Sequence, residues 1–216
     1  MTSDIPSDAE DGSEDSTPSP TLAPQSGDDP VYSYGLKVPK DRVAVIIGKK
    51  GSVKSELERQ TKSKIFVDSE EGDIFIEGKD PLSLYAAREV IRSISRGFNP
   101  EIALSLLKPD FSFEVLNIAD FGKTKNDIIR LRGRVIGEEG KSRKVIEELT
   151  ECSISVYGKT VSIIGLVEDV PSARRAVEAL LSGSPHSNVY HFLEREHVRK
   201  KRHRMLGFVD DEPQDI

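Results

Sequence analysis

The chain of 216 residues has one cysteine, no tryptophan, and only five tyrosines and eight phenylalanines. A lone Cys152 excludes an intrachain disulfide and any zinc site built on cysteine pairs, and it suits a reducing cytoplasm. No apolar run approaches the ~20 residues that a membrane-spanning helix needs; near the start the longest is Val43–Ile47. The acidic N-terminus lacks the apolar stretch of a secretory signal, so none is expected. The four histidines, His186, His191, His197 and His203, are never one helical turn apart, so no metal site is expected. The first 30 residues contain no base at all.

What is present is unevenly charged. The net charge of −6 hides an N-terminal tail with eight acids and a last stretch with Asp210, Asp211, Glu212 and Asp215. Between them, residues 31–209 hold 31 bases and 25 acids, a net of +6. A mildly cationic middle suits a polyanion binder. Residues 1–30, rich in Ser, Pro, Asp and Glu, bury too little apolar surface to offset the entropy of ordering, and disorder is expected there.

One pattern occurs twice, 89 residues apart. Val45-Ile46-Ile47-Gly48-Lys49-Lys50-Gly51 is followed by Leu57, Thr61 and Ile65-Phe66-Val67. Arg134-Val135-Ile136-Gly137-Glu138-Glu139-Gly140 is followed by Ile146, Thr150 and Ile154-Ser155-Val156. A single GxxG is weak evidence; two in register, each with a helix and strand behind it, mark a repeated unit.

Around each block the same element order is expected. Alternation through Tyr32, Tyr34, Leu36 and Val38 predicts a strand, and Asp41 is placed to cap a short helix ending at Ile47. A helix follows over 52–60, strands over 64–68 and 74–77, and a helix after Asp80-Pro81. The second block repeats this with a strand over 111–118, a helix leading to Gly137, a helix over 141–150, a hairpin turned at Gly158-Lys159, and a helix over 171–182. Asn99-Pro100 starts a short connecting helix, and 188–206 reads as one more helix ending in a basic run. Modules of about 70 residues have marginal cores, so the two modules and the last helix are expected to pack together.

The glycines carry the chemistry. A side chain at either one would block close approach of backbone N–H groups to a phosphate, or forbid a positive φ. The helix that follows adds unpaired N–H groups and a partial positive charge. Apolar residues before the loop and on the adjacent strand offer a floor for unstacked bases, which single-stranded RNA presents and a duplex does not. The candidate contacts are Ile46, Ile47, Gly48, Lys49, Lys50, Gly51, Lys54, Ile65 and Val67 in the first block. In the second they are Arg132, Arg134, Ile136, Gly137, Glu138, Glu139, Gly140, Lys141, Arg143, Lys144, Ile154 and Val156. Arg199, Lys200, Lys201 and Arg202 add a basic run that contacts phosphates or forms a solvated helix end. Glu138 and Glu139 repel phosphate, but exposed charges are screened over about 8 Å, and Arg130, Arg132, Arg134, Lys141, Arg143 and Lys144 surround them.

These blocks resemble the KH family in its type I form, which implies an α+β fold with two tandem β-α-α-β-β-α domains. On that reading residues 1–30 are a tail, 31–98 the first domain, 99–110 a connecting helix, 111–184 the second domain, 185–207 a basic helix and 208–216 an acidic tail. Tandem modules followed by Ser184-Pro185-His186-Ser187-Asn188-Val189-Tyr190 and a basic helix resemble the archaeal Dim-two proteins, whose eukaryotic relatives are called partner of Nob-one. That resemblance implies a cytoplasmic, non-catalytic assembly factor on small-subunit (16S) ribosomal RNA near its 3′ end. The implied protein partners are the endonuclease that trims this end and the α subunit of translation initiation factor two. In the eukaryotic relatives the second module keeps the glycine loop, whereas local charge favours the first. The alternatives are a KH-type regulator of messenger RNA translation or decay, and a protein adaptor that has lost RNA affinity. A nuclease is disfavoured, because no paired-carboxylate metal site or activated nucleophile stands out. No cofactor is implied.

Overall fold

The computed structural model describes Thr21–Leu22 and residues 31–206, with side chains from 31 to 205. Thr21–Leu22 forms β1, a two-residue strand within the tail expected to be disordered. It pairs with Tyr32 and Ser33, where backbone groups at a sheet edge lack partners. The rest of that tail and the acidic 208–216 segment lie outside the described residues.

β2 (Tyr32–Lys37) alternates as expected and turns Tyr34 inward. Pro39, which cannot donate to a ladder, ends it. α1 (Lys40–Ile47) follows, the first glycine loop interrupts it, and α2 (Ser52–Thr61) resumes. β3 (Lys64–Val67) and β4 (Asp73–Gly78) pair antiparallel, and β2 joins the free side of β4, so the sheet order is β1-β2-β4-β3. α3 (Pro81–Ser95) covers the sheet with Leu84, Ala87, Val90, Ile91 and Ile94. Asp80 caps it as predicted, accepting from Leu82 N and Ser83 N. Asp41, by contrast, is no cap: it lies in the first turn of α1 and accepts from Tyr157 Oη in the second module at 2.7 Å.

α4 (Pro100–Ala103) and a 3₁₀ turn over Leu104–Leu107 form the connector. β5 (Phe111–Asn117) then opens the second module, followed by α5 (Lys125–Ile136), α6 (Lys141–Thr150), β6 (Ser153–Tyr157), β7 (Thr160–Leu166) and α7 (Val170–Leu181). Its sheet order is β5-β7-β6. A Thr124–Asp127 capping box starts α5.

The modules share a boundary. The outer face of the second sheet lies on the end of α3, and Ile164 of β7 joins the first core, with Phe111 and Phe113 packed against it. Phe113 and Phe98 pack edge to face with ring centroids 6.2 Å apart, and Phe113 takes the Arg92 guanidinium over its face at 5.7 Å. Ser155 Oγ donates to Arg96 O at 2.9 Å, and a Cβ on Gly97 would stand 2.6 Å from that Oγ. Gly97, at φ +99°, thus permits both the turn and the close approach.

In each module an arginine of the first helix donates to a carbonyl in the last turn of the closing helix and to one three residues beyond its end. Arg42 donates to Ile94 O and Phe98 O, and Arg134 to Leu180 O and Ser184 O. α8 (His186–Leu206) buries Val189 and Leu193 in the second core. Its His186 meets Arg134 O at 2.9 Å, and its His197 meets Leu149 O at 3.2 Å.

Candidate nucleic-acid interface

The two glycine loops have the same backbone. Gly48 sits at φ 74°, ψ 174° and Gly137 at φ 73°, ψ 177°. Gly51 and Gly140 are left-handed at φ 78° and 77°. Between them Lys50 and Glu139 hold φ 55° and 53°, a conformation that costs a side-chain-bearing residue about 1–2 kcal/mol. The same strain in both loops shows that geometry, not residue charge, is what repeats.

The glycines differ in what they permit. A Cβ on Gly48 would lie 2.5 Å from Val53 Cγ2 and 2.8 Å from Val53 N, and one on Gly137 would lie 2.6 Å from Ser142 Cβ. The first glycine therefore lets the loop close on the following helix. A Cβ on Gly140 would meet nothing within 4 Å, and one on Gly51 only Ser55 Oγ at 4.0 Å. The second glycine faces open space, where an incoming backbone would pass. Neither α2 nor α6 has a side-chain cap at its start, so the first amides of both helices face outward with the positive end of the dipole. Lys49, Lys50, Glu138 and Glu139 are all exposed.

The helix that follows each loop runs along the free edge of a sheet. Glu58 Oε1 accepts from Ile65 N at 2.8 Å, and Glu147 Oε1 does the same for Ile154 N. Strand alternation turns the Val67 and Val156 amides to the same open edge. The repeat of Glu58 in Glu147 was legible in the sequence, but its role as edge acceptor was not.

Several candidate contacts are placed elsewhere. Ile46, Ile65 and Ile154 are 1 %, 2 % and 3 % exposed and belong to the cores, so they form no floor for bases. Ile47, Val67, Ile136 and Val156 are half-buried. Arg134 is committed to the end of α7, and it does not share a face with Arg132, because residues two apart on a helix point apart. Arg132 is half-buried. Lys54 lies 3.9 Å from Glu58 and Arg143 3.6 Å from Glu147, while Lys141 and Lys144 are exposed.

The basic run splits into two faces. Lys200 Nζ reaches Asp169 Oδ1 at 2.5 Å, and Asp169 is only 2 % exposed. Arg204 bridges Glu151 and Glu168, each at 3.2 Å. These contacts hold α8 on its own module, so Lys200 is structural. Arg199 pairs with Glu196 at 2.7 Å and stays exposed, as do Lys201 and Arg202. Burial pushes the Cys152 thiol up to about 11, so it stays protonated and unreactive. Among the described residues no group of three or more His, Cys, Asp or Glu is placed to hold a metal ion, and no helix is long and apolar enough to cross a membrane.

Two β-α-α-β-β-α modules, each with an exposed GxxG loop against a free strand edge, define a tandem KH RNA-binding protein. Residues 33–93 match the model of the KH domain, and residues 112–198 that of the eukaryotic type KH domain, type I. A KH domain-containing protein of Methanocaldococcus jannaschii is 51 % identical over 173 residues, covering 78 % of this chain and 76 % of that protein. Dim2p from Pyrococcus horikoshii OT3 is 46 % identical at a TM-score of 0.71, covering 76 % of this chain and 98 % of that one. A second structure, the complex of P. horikoshii Dim2p with the α subunit of initiation factor 2 and rRNA, is 44 % identical at a TM-score of 0.73, covering 78 % and 96 %. The chain belongs to the tandem-KH family of the archaeal Dim2p proteins, related to ribosome biogenesis factors.

Proposed function

We propose that this protein is a non-catalytic, cytoplasmic factor that holds single-stranded small-subunit rRNA near its 3′ end during subunit maturation. The observation that carries the reading is the pair of exposed glycine loops with one backbone geometry, each opening onto uncapped helix amides and a free strand edge. Such a clamp holds about four nucleotides. The solved complex of P. horikoshii Dim2p contains rRNA, which supports the choice of RNA, and the α subunit of initiation factor 2, which supports that subunit as a partner here. The endonuclease that trims the 3′ end is the further partner of this reading, with the protein serving as adaptor.

Ile47, Gly48, Lys49, Lys50, Gly51, Lys54 and Val67 form the first clamp, and Ile136, Gly137, Glu138, Glu139, Gly140, Lys141, Arg143, Lys144 and Val156 the second. Lys49 and Lys50 add attraction at the first loop. At the second, Lys141 and Lys144 counter Glu138 and Glu139. Arg199, Lys201 and Arg202 add attraction without sequence choice.

Sequencing the RNA that co-purifies with the native protein tests this. Enrichment of small-subunit rRNA is expected; enrichment of messenger RNA would replace the reading with that of a translation or decay regulator.

A further inference from the structure

Phe66 and Phe75 are the anomaly on the first module. They are 50 % and 51 % exposed and lie directly opposite one another on β3 and β4, on the sheet face away from the core. Phe75 in turn lies opposite Gly35 of β2, where the missing side chain leaves its ring uncovered on one side. The same row in the second module is Ser155, Ser162 and Val115. That row is covered by the end of α3, with Ser155 bonded to a backbone carbonyl. Small polar residues suit a face closed by protein backbone; two adjacent rings suit a flat apolar ligand.

The rings are also continuous with the cleft. One open depression is lined by Lys54 of α2, by Val67 on the cleft edge, and by Phe66 and Phe75. Asp68 and Glu70 also line it, on a β3–β4 connection longer than the two-residue turn of the second module. These carboxylates oppose a phosphate there, but not an uncharged base. β3 is the outermost strand, so no further strand separates the cleft from the rings.

We infer that Phe66 and Phe75 form a stacking platform for nucleobases of RNA leaving the first clamp around the β3 edge, extending the site past the tetranucleotide. The inference rests on the RNA-binding reading of that clamp. Each stacked base adds affinity with little sequence preference.

The test uses the full chain carrying Gly140→Asp, which weakens the second clamp so that the first module dominates binding. A fluorescent random-sequence RNA of about twelve nucleotides is titrated beside one of about four, the length a GxxG loop holds. Phe66→Ser with Phe75→Ser, the residues the second module carries in this register, is expected to lower affinity for the longer RNA about tenfold and to leave the shorter unchanged. Phe66→Leu with Phe75→Leu keeps the apolar surface without the π face and is expected to lose affinity for the longer RNA as well. Unchanged affinity for the longer RNA in the serine pair, or full retention in the leucine pair, overturns the platform and leaves a protein-docking face in its place. Failure of the Gly140→Asp parent to bind either RNA is a different result: it sinks the first clamp itself.

Discussion

Tyr157 of β6 donates its hydroxyl to Asp41 Oδ2 of α1 at 2.7 Å, joining residues 116 positions apart. With the Ser155–Arg96 bond and the Phe98–Phe113 contact, it makes the outer face of the second sheet part of the first module's surroundings.

Tyr157→Phe removes only the hydroxyl. Stability in urea is expected to fall by about 1 kcal/mol, while the chain still unfolds in one transition because Ile164 stays in the first core. Two separate transitions in the unmutated protein would show that the modules are not coupled.

The two glycines of a loop should respond differently. Gly48→Ala forces a Cβ against Val53 at positive φ and is expected to cost about 3 kcal/mol. Gly140→Asp points into open space and should cost only about 1 kcal/mol, yet lower RNA affinity at the second clamp about tenfold by placing a carboxylate beside the phosphate. Chemical denaturation and RNA titration read the two effects apart. Equal stability losses for both variants would contradict this division of roles.

Lys200→Ala leaves the buried Asp169 carboxylate with only Arg204, 3.8 Å away. A loss of about 3 kcal/mol is expected, since removing one partner of a buried pair strands the other charge. Adding Asp169→Ala should restore part of that loss. A double variant less stable by the sum of the single losses would show that the two residues do not interact.

The acid limb of stability should depend on Asp80. Its carboxyl is held below its ordinary value of 3.8 by the Ser83 hydroxyl first, then by the Ser83 and Leu82 amides. A depressed folded value means the contribution is complete above about pH 4 and is lost as pH falls through that lower value. Asp80→Asn keeps the cap but does not titrate. Its stability near neutrality should match the parent, and its loss on acidification should be shallower; identical acid profiles would refute the assignment.

Much of the fold is legible in the chain. Pro39, Asp80-Pro81 and Gly158-Lys159 bound elements where local chemistry demands a break, and the repeat offset of 89 survives as closely matching backbone angles at Gly48 and Gly137. Periodicity was less able to distinguish the rim of the cleft from its foundations. Ile46 and Ile65 flank the loop in sequence, as Ile47 and Val67 do, yet lie in the core. Phe66 stands out only because a strand with two buried faces would have hidden it.

The local pattern of the chain settles what each short segment does, because φ preference, capping and alternation are decided within a few residues. It thereby determined two modules of one kind and where each glycine loop lies. The tertiary structure decided which charges and apolar groups remain available. Arg134 and Lys200 look like phosphate contacts until α7 and Asp169 take them, and only the docking of one sheet face on α3 shows that its counterpart, with Phe66 and Phe75, is left open. Such choices depend on partners 30 to 60 residues away or more, which no local pattern encodes.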